Sequence, residues 1–212
     1  MNNIATIILA RKGSKQIPKK NIILFKGKPL IEWTIIDALA IGYPIWLFTD
    51  MKEIREICKK YPKVNIREKM YENKEGIHHT DKEILKYNEE IQGEHIILLQ
   101  ATSPIRNVNL IKEWINAYIN GNFDVGFTAF KMQPGYYYKK NGNEINYDNN
   151  KRTYNGCEKQ NIYKETGSFY IFKTEILYNC IKNHFMNTVN KILFEDPYNI
   201  DIDNPEDIRK EK

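Results

Sequence analysis

Ile4-Ala5-Thr6-Ile7-Ile8-Leu9-Ala10, followed at once by Arg11-Lys12-Gly13-Ser14-Lys15-Gln16-Ile17-Pro18-Lys19-Lys20-Asn21, decides how the rest of the chain is read. A continuous apolar run of this kind is what a strand covered on both faces requires. The basic, glycine-containing segment behind it cannot continue that strand. It predicts a loop in which the Gly13-Ser14 turn lets backbone amides approach an anion closely, while Arg11 and Lys15 supply positive charge. Neither Gly13 nor Gly27 belongs to a Walker-type GxxxxGK[ST] run. A solvated basic loop is the plain alternative, and its position directly after a buried strand is what favours a ligand-binding role.

Working outward, the same alternation recurs. Leu30 to Ala40 has helical apolar spacing, Pro44 to Thr49 reads as a second strand ending at Asp50, and Glu53 to Lys60 reads as a helix. Asp81 to Ile91 suits another helix with Thr80 as its N-cap. His95 to Gln100 predicts a strong strand, Leu110 to Asn120 a helix and Asp124 to Phe130 a strand. This rhythm predicts an α/β fold, a Rossmann-like, mostly parallel sheet with helices on both faces. Ligands of such sheets collect outside the carboxyl ends of the strands, so the segments after Ala10, Thr49 and Gln100 are the places to search.

The rhythm breaks from about 131 to 165, where Tyr, Asn, Lys and Gly dominate and "KKNGNEINY" predicts a hairpin around Asn141-Gly142. This stretch is an excursion from the core: a lid, a subunit contact or an irregular surface loop. Gly167 to Phe172 regains strand character, Glu175 to Lys182 reads as a helix, and the tail carries "NIDIDNPEDI", an acidic strand end before a Pro-started helix. Residues 1–212 are therefore expected to form a single domain with one excursion.

Bulk properties narrow the function. Hydrophobic residues make up 42% and charged residues 28%, which is globular rather than disordered composition. The net charge of +5 suits an anionic ligand, but acidic residues interrupt the basic ones, against a nucleic-acid face. Cys58, Cys157 and Cys180 form no CxxC pair and are odd in number, arguing against a disulfide framework or a zinc site. No stretch approaches the roughly 18 apolar residues of a membrane span. The expected compartment is the cytoplasm.

Two further groups carry candidate chemistry. Asp201 and Asp203 alternate around Ile202, so a strand would set both carboxylates on one face, where they repel unless a cation intervenes. Mg²⁺, or Mn²⁺ in its place, is the natural ion; an acidic surface strand, or helix capping by Asp203, is the alternative. In "LLQATSPIR", Leu98 to Arg106, Gln100 ends a buried strand with an amide able to donate to and accept from a sugar. Thr102, Ser103 and Pro104 read as turn residues, and Arg106 as a salt-bridge partner of the following helix. The pair His78 and His79 lacks further ligands at metal spacing.

Taken together, these segments resemble the acylneuraminate cytidylyltransferase family, the CMP-sialic acid synthetases. "IILARKGSKQIPKKNI" with "GKPLIEWTI" behind it is similar to that family's N-terminal signature; "LLQATSPIR" resembles its LLQPTSPLR segment with Ala101 for proline; "NIDIDNPEDI" resembles its terminal DIDxxxD element. In "CEKQNIYKETGSFYI" Thr166 stands where the family has an asparagine before glycine. Cytidylyltransferases for eight-carbon ketodeoxy sugar acids match less well, since their opening loop lacks the GSKxIPxKN form.

The resemblance implies CMP transfer from CTP to the anomeric hydroxyl of a sialic-acid-like nonulosonic acid, with release of pyrophosphate. It implies that Arg11 and Lys15 bind the triphosphate with Gly13 and Ser14, that Asn21 lies near the ribose, and that Arg67, after the strand in "NIREK", lies near the cytosine. Gln100 would face the sugar acid, and Asp201 and Asp203 would hold the metal. Arg11, Lys15 and Asp203 are then the catalytic candidates, and the excursion would pack against a second subunit in a homodimer. The competing expectations are a nucleotidyltransferase for another nucleotide, sugar acid or sugar phosphate, and a non-catalytic nucleotide-binding descendant.

Overall fold

The computed structural model describes residues 3–14, 16–68, 84, 88–133, 135–145, 162–179, 186, 188, 190–198 and 200–210. Lys15, His78, His79, Thr80, Arg152, Cys157 and Cys180 lie outside the described residues, as does most of the helix expected over Asp81–Ile91.

The apolar run becomes β1 (Ile4–Leu9), whose neighbours Ile7 and Ile8 point to opposite faces and are both 0% exposed. Behind the loop, β2 (Leu24–Phe25) and β3 (Lys28–Pro29) pair antiparallel across Gly27. The chain continues through α1 (Leu30–Ile41), β4 (Ile45–Thr49), α2 (Lys52–Cys58), β5 (Val64–Glu68) and α3 (Asn88–Ile91). Then follow β6 (His95–Gln100), α4 (Val108–Asn120), β7 (Val125–Lys131), β8 (Tyr163–Lys173), α5 (Thr174–Asn179), β9 (Lys191–Glu195) and α6 (Pro205–Lys210).

Local chemistry explains several boundaries. Gly42 ends α1 in the left-handed region, at φ 98°, where its amide bonds the Ala38 carbonyl at 3.2 Å. α4 begins two residues before the expected Leu110 because the Asn107 side chain accepts from the amides of Asn109 and Leu110, at 3.0 and 3.3 Å.

Seven strands form one sheet in the order β5-β4-β1-β6-β8-β7-β9. Only β8 runs against its neighbours β6 and β7; the other strands share one direction, so the expectation of a mostly parallel sheet holds. One core lies between the sheet and α1, α2 and α4, and includes Ile8, Ile35, Ile54 and Ile115. A second, on the opposite face, includes Ile7, Ile91 of α3 and Leu177 of α5. Helices therefore cover both faces, as the Rossmann-like reading requires.

The order also fixes where a ligand fits. The chain steps from β1 outward to β4 and β5, then returns to add β6 on β1's other side. That reversal leaves a crevice outside the carboxyl ends of β1 and β6.

Some readings need correction. Arg67 sits within β5, opposite Phe48 of β4, and not after the strand. The described part of the "NIDID" tail, Ile200 to Asp203, is not a strand: it joins no sheet, and its Ile202 amide bonds the Thr102 carbonyl at 2.8 Å. The last sheet position belongs instead to β9, whose short "KILFE" pattern carries little signal. The excursion leaves the sheet after Lys131 and rejoins it at Tyr163. Within it, Tyr138 bridges Glu144 antiparallel around Gly142 at φ 88°, the turn expected at Asn141-Gly142.

Phe169 is 0% exposed and packs against Trp114 and Phe194, with ring centroids 5.9 and 6.3 Å away. Phe169→Ala is expected to cost about 3–5 kcal/mol through lost burial and the cavity left behind. Urea denaturation would read this as a lower midpoint at unchanged slope.

Candidate active site

The loop after β1 is held in shape by polar bonds from three directions. The Thr49 hydroxyl donates to the Ala10 carbonyl at 2.7 Å, and the Lys12 amide donates to Asp50 Oδ1 at 2.5 Å, which ties the loop's start to the end of β4. Asn21, 9% exposed, donates through Nδ2 to the Arg11 carbonyl at 3.1 Å and so closes the loop across its mouth. Ser14 Oγ accepts from the Ile17 amide at 3.2 Å. Gly13 takes φ 104°, a backbone conformation that glycine adopts without steric cost, and a Cβ placed there would meet nothing within 4 Å. The approach to the Gly13 backbone is therefore open.

A small apolar cluster brings the tail to this loop. Ile17, Phe25, Leu30 and Ile202 are buried together, with Ile105 and Ile208 packed against them. With Ile202 so anchored, Asp201 and Asp203 flank it at the loop. Lys20 Nζ contacts Asp203 Oδ1 at 2.7 Å, with its own side chain only 12% exposed. Among the described residues the buried Asp201 Oδ1 meets no hydrogen-bond partner. Burial pushes the Asp201 carboxyl above its ordinary pKa, with Asp203 adding to the rise while Thr102 and Lys20 oppose it. An orphaned buried carboxylate oxygen costs free energy unless something pairs with it.

Gln100 closes β6 at the same end of the sheet. Its carbonyl accepts from Arg106 Nη2, whose guanidinium also reaches the Ser168 carbonyl at 3.1 Å, Thr34 Oγ1 at 3.2 Å and Asp37 Oδ2 at 3.3 Å. Arg106 thus pairs with α1, before it in sequence, and not with the helix that follows it. Burial pushes the guanidinium's pKa down, while Asp37, Asp196 and Asp201 oppose that shift.

Arg11, Gly13, Ser14, Asn21, Asp201 and Asp203 are therefore brought together, with Gln100 at the neighbouring strand end. Arg67 is set apart on β5, two strands from β1. Its guanidinium lies 4.8 Å from the Trp46 ring centroid and 2.5 Å from Glu90 Oε2. Lys15 lies outside the described residues. Sequence reasoning did not single out Lys20 or Asp50. Lys20 adjoins the buried Asn21, and Asp50 ends a strand beside β1, but both cues are positional and need the fold to be read.

Among the described residues no three His, Cys, Asp or Glu side chains form a metal cluster. Two carboxylates, one of them with an orphaned oxygen, still fit magnesium, which commonly binds one or two protein carboxylates and completes its shell with phosphate oxygens and water. Cys58 is buried, and burial pushes its thiol up to about 11, which leaves it unreactive. No helix among the described residues is long and apolar enough to cross a membrane.

Comparison with known proteins speaks for the family and the fold. A family model described as Cytidylyltransferase matches residues 5–212. The chain is 31% identical to a pseudaminic acid cytidylyltransferase of Campylobacter jejuni subsp. jejuni, over 98% of this chain and 94% of that one. It is 28% identical to a CMP-N,N'-diacetyllegionaminic acid synthase of Legionella pneumophila subsp. pneumophila, over 96% and 92% of the two chains. Among solved structures, CMP:2-keto-3-deoxy-manno-octonic acid synthetase complexed with CTP superposes with a TM-score of 0.77 at 16% identity, covering 99% of this chain and 96% of that one. At that identity the likeness speaks for the fold alone.

Asn21→Ala removes the clamp on the Arg11 carbonyl and is expected to cost about 1 kcal/mol of global stability. Hydrogen exchange at the Lys12 and Ile17 amides should speed up while β1 amides hold. Unchanged exchange at both would show that Asn21 does not shape the loop.

Proposed function

The chain belongs to the cytidylyltransferase family, and from that premise we propose that it transfers CMP from CTP to the anomeric hydroxyl of a sialic-acid-like nonulosonic acid. The observation that carries this reading is the convergence, at the crevice between β1 and β6, of a basic loop with open backbone, a strand-end glutamine and a carboxylate pair. Two of its relatives are named for pseudaminic and diacetyllegionaminic acids, which supports this class of acceptor.

In the proposed reaction the sugar hydroxyl attacks the α-phosphorus in line. The new oxygen–phosphorus bond forms as the bond to the bridging oxygen breaks, the hydroxyl proton passes to solvent, and pyrophosphate leaves. Arg11 and Lys15, with the Gly13 and Ser14 amides, hold the triphosphate and stabilise charge that builds on the leaving pyrophosphate. Asn21 keeps the loop closed beside the ribose, Arg67 lies toward the cytosine, and Gln100 orients the sugar acid. Asp201 and Asp203 would hold a magnesium or manganese ion, which when bound would neutralise phosphate charge and polarise the α-phosphate. Lys20 contacts Oδ1 of Asp203, and the carboxylate's other oxygen can serve the ion with that contact in place. The residue 131–165 excursion supplies the contact with a second subunit in a homodimer. A reducing, cytoplasmic setting accords with the buried free thiol of Cys58.

The test is pyrophosphate release with Mg²⁺ and CTP across N-acetylneuraminic, legionaminic, pseudaminic and eight-carbon ketodeoxy acids, with GTP and UTP plus sugar 1-phosphates alongside. Turnover that needs CTP, one nonulosonic acid and the metal is expected. Activity only with another nucleotide would overturn the substrate reading, and CTP binding without turnover would mark a non-catalytic descendant. Asp203→Asn should lower turnover on the order of a hundredfold; unchanged turnover and metal dependence would overturn the metal assignment. Sedimentation as a monomer at working concentration would remove the homodimer.

A further inference from the structure

Between β7 and β8 the ladder breaks where it comes nearest to Gln100. Phe127 pairs with Tyr170 and Ala129 with Glu165, so one β7 residue, Thr128, stands opposite the whole of Thr166–Phe169 on β8. A bulge of this kind re-aims the backbone of the strand that carries it, and bulges gather beside functional sites. Here it is built from side chains as well. The Thr166 hydroxyl bonds Thr128 Oγ1 at 2.7 Å, the Phe169 amide donates to Thr128 Oγ1 at 3.2 Å, and the Ser168 amide donates to Thr166 Oγ1 at 3.3 Å. All of these groups are buried, so the bulge has a single well-bonded shape.

Gly167 is the outermost point of that shape. It takes φ 74°, which side chains rarely adopt, and a Cβ there would lie 3.4–3.5 Å from Nε2, Cδ and Oε1 of Gln100. The Arg106 guanidinium spans the two segments from within: its side chain is 1% exposed, and besides Thr34 and Asp37 it donates to the carbonyls of both Gln100 and Ser168. The amide of Gln100 and the backbone of Gly167 are therefore held at a set separation, and the absent side chain at 167 leaves one face of the amide uncovered.

We propose that Gly167, presented by the Thr128–Thr166 bulge and tied to β6 through Arg106, is a specificity-determining position that keeps the Gln100 amide open to the acceptor. This deepens the proposed function and rests on its reading of Gln100 as the contact with the sugar acid. Thr166 stands where the family resemblance has an asparagine, and its hydroxyl is turned inward to Thr128 instead of outward to a ligand. The bulge thereby leaves recognition on this side to Gln100 and the bare Gly167 backbone.

The experiment compares Gly167→Ala, Gly167→Asn and Gln100→Ala with the parent protein, each checked for folding by thermal unfolding. Asparagine tolerates left-handed backbone far better than alanine, while both cover the amide with a Cβ. The readouts are KM for each nonulosonic acid, KM for CTP, and the side-chain amide resonance of Gln100, assigned by its loss in Gln100→Ala. Both Gly167 variants are expected to shift that resonance and to raise the sugar-acid KM about tenfold, the worth of roughly one hydrogen bond, with KM for CTP within about twofold. Restoration by asparagine alone would trace the effect to backbone strain and overturn the proposal. So would an unmoved resonance and unchanged sugar-acid KM in both variants while Gln100→Ala raises it. An unchanged sugar-acid KM in Gln100→Ala would instead remove Gln100 from the proposed site, and with it the role assigned to Gly167, whatever the resonance does.

Discussion

Arg106 carries a guanidinium where water does not reach, and the site end of the molecule is arranged around satisfying it. A charge taken out of water is costly unless it is paired and hydrogen-bonded. Here α1 contributes Asp37 and Thr34, β6 the carbonyl of Gln100, and β8 the carbonyl of Ser168. These groups come from three separate parts of the chain and meet at Arg106. The end of β6, the bulge of β8 and the start of the α1 layer are thereby fixed relative to one another. The carboxyl ends of the strands form a rigid floor, and the loop after β1 lies beside it.

The walls of the site are held by weaker and more local devices. The loop after β1 depends on Thr49, Asp50 and Asn21, and the tail depends on burying Ile202 among Ile17, Phe25 and Leu30. Apolar burial is non-directional, so it brings the tail to the loop without dictating side-chain aim. Direction comes from the Ile202 amide on the Thr102 carbonyl and from Lys20 on Asp203. The result is a carboxylate pair of unequal character. Asp201 is partly buried with an orphaned oxygen, while Asp203 is more open and held by an ammonium. That unequal pair is what supports the proposed metal site.

The strands and helices that position the site were legible because their signals are local. β1, β4 and β6 are apolar runs bounded by turn residues, and α1 carries an apolar face and a glycine stop. What failed had a competing physical cause. The "NIDID" alternation has strand periodicity, yet Ile202 is buried with Ile17, Phe25 and Leu30 and its amide bonds the Thr102 carbonyl, so that segment joins no ladder. Arg106 looked like a partner for the helix it precedes, since nothing in its neighbourhood shows that Asp37, distant in sequence, is near in space. Gly167 gave no local signal, because the need for glycine there arises from Gln100 on another strand.

By itself the sequence determined the alternation of buried strands and helices, the basic loop after the first strand, the glutamine at a strand end and the paired aspartates. Each depends on residues within a few positions of one another, where periodicity and turn chemistry act. Only the tertiary structure decided that loop, glutamine and aspartates share one crevice, that Lys20 meets Asp203, and that Arg106 joins β6 to β8 beneath Gln100. Those relations come from the order in which strands are laid into the sheet and from the requirement that buried charge and backbone groups find partners, which operates between segments far apart in the chain.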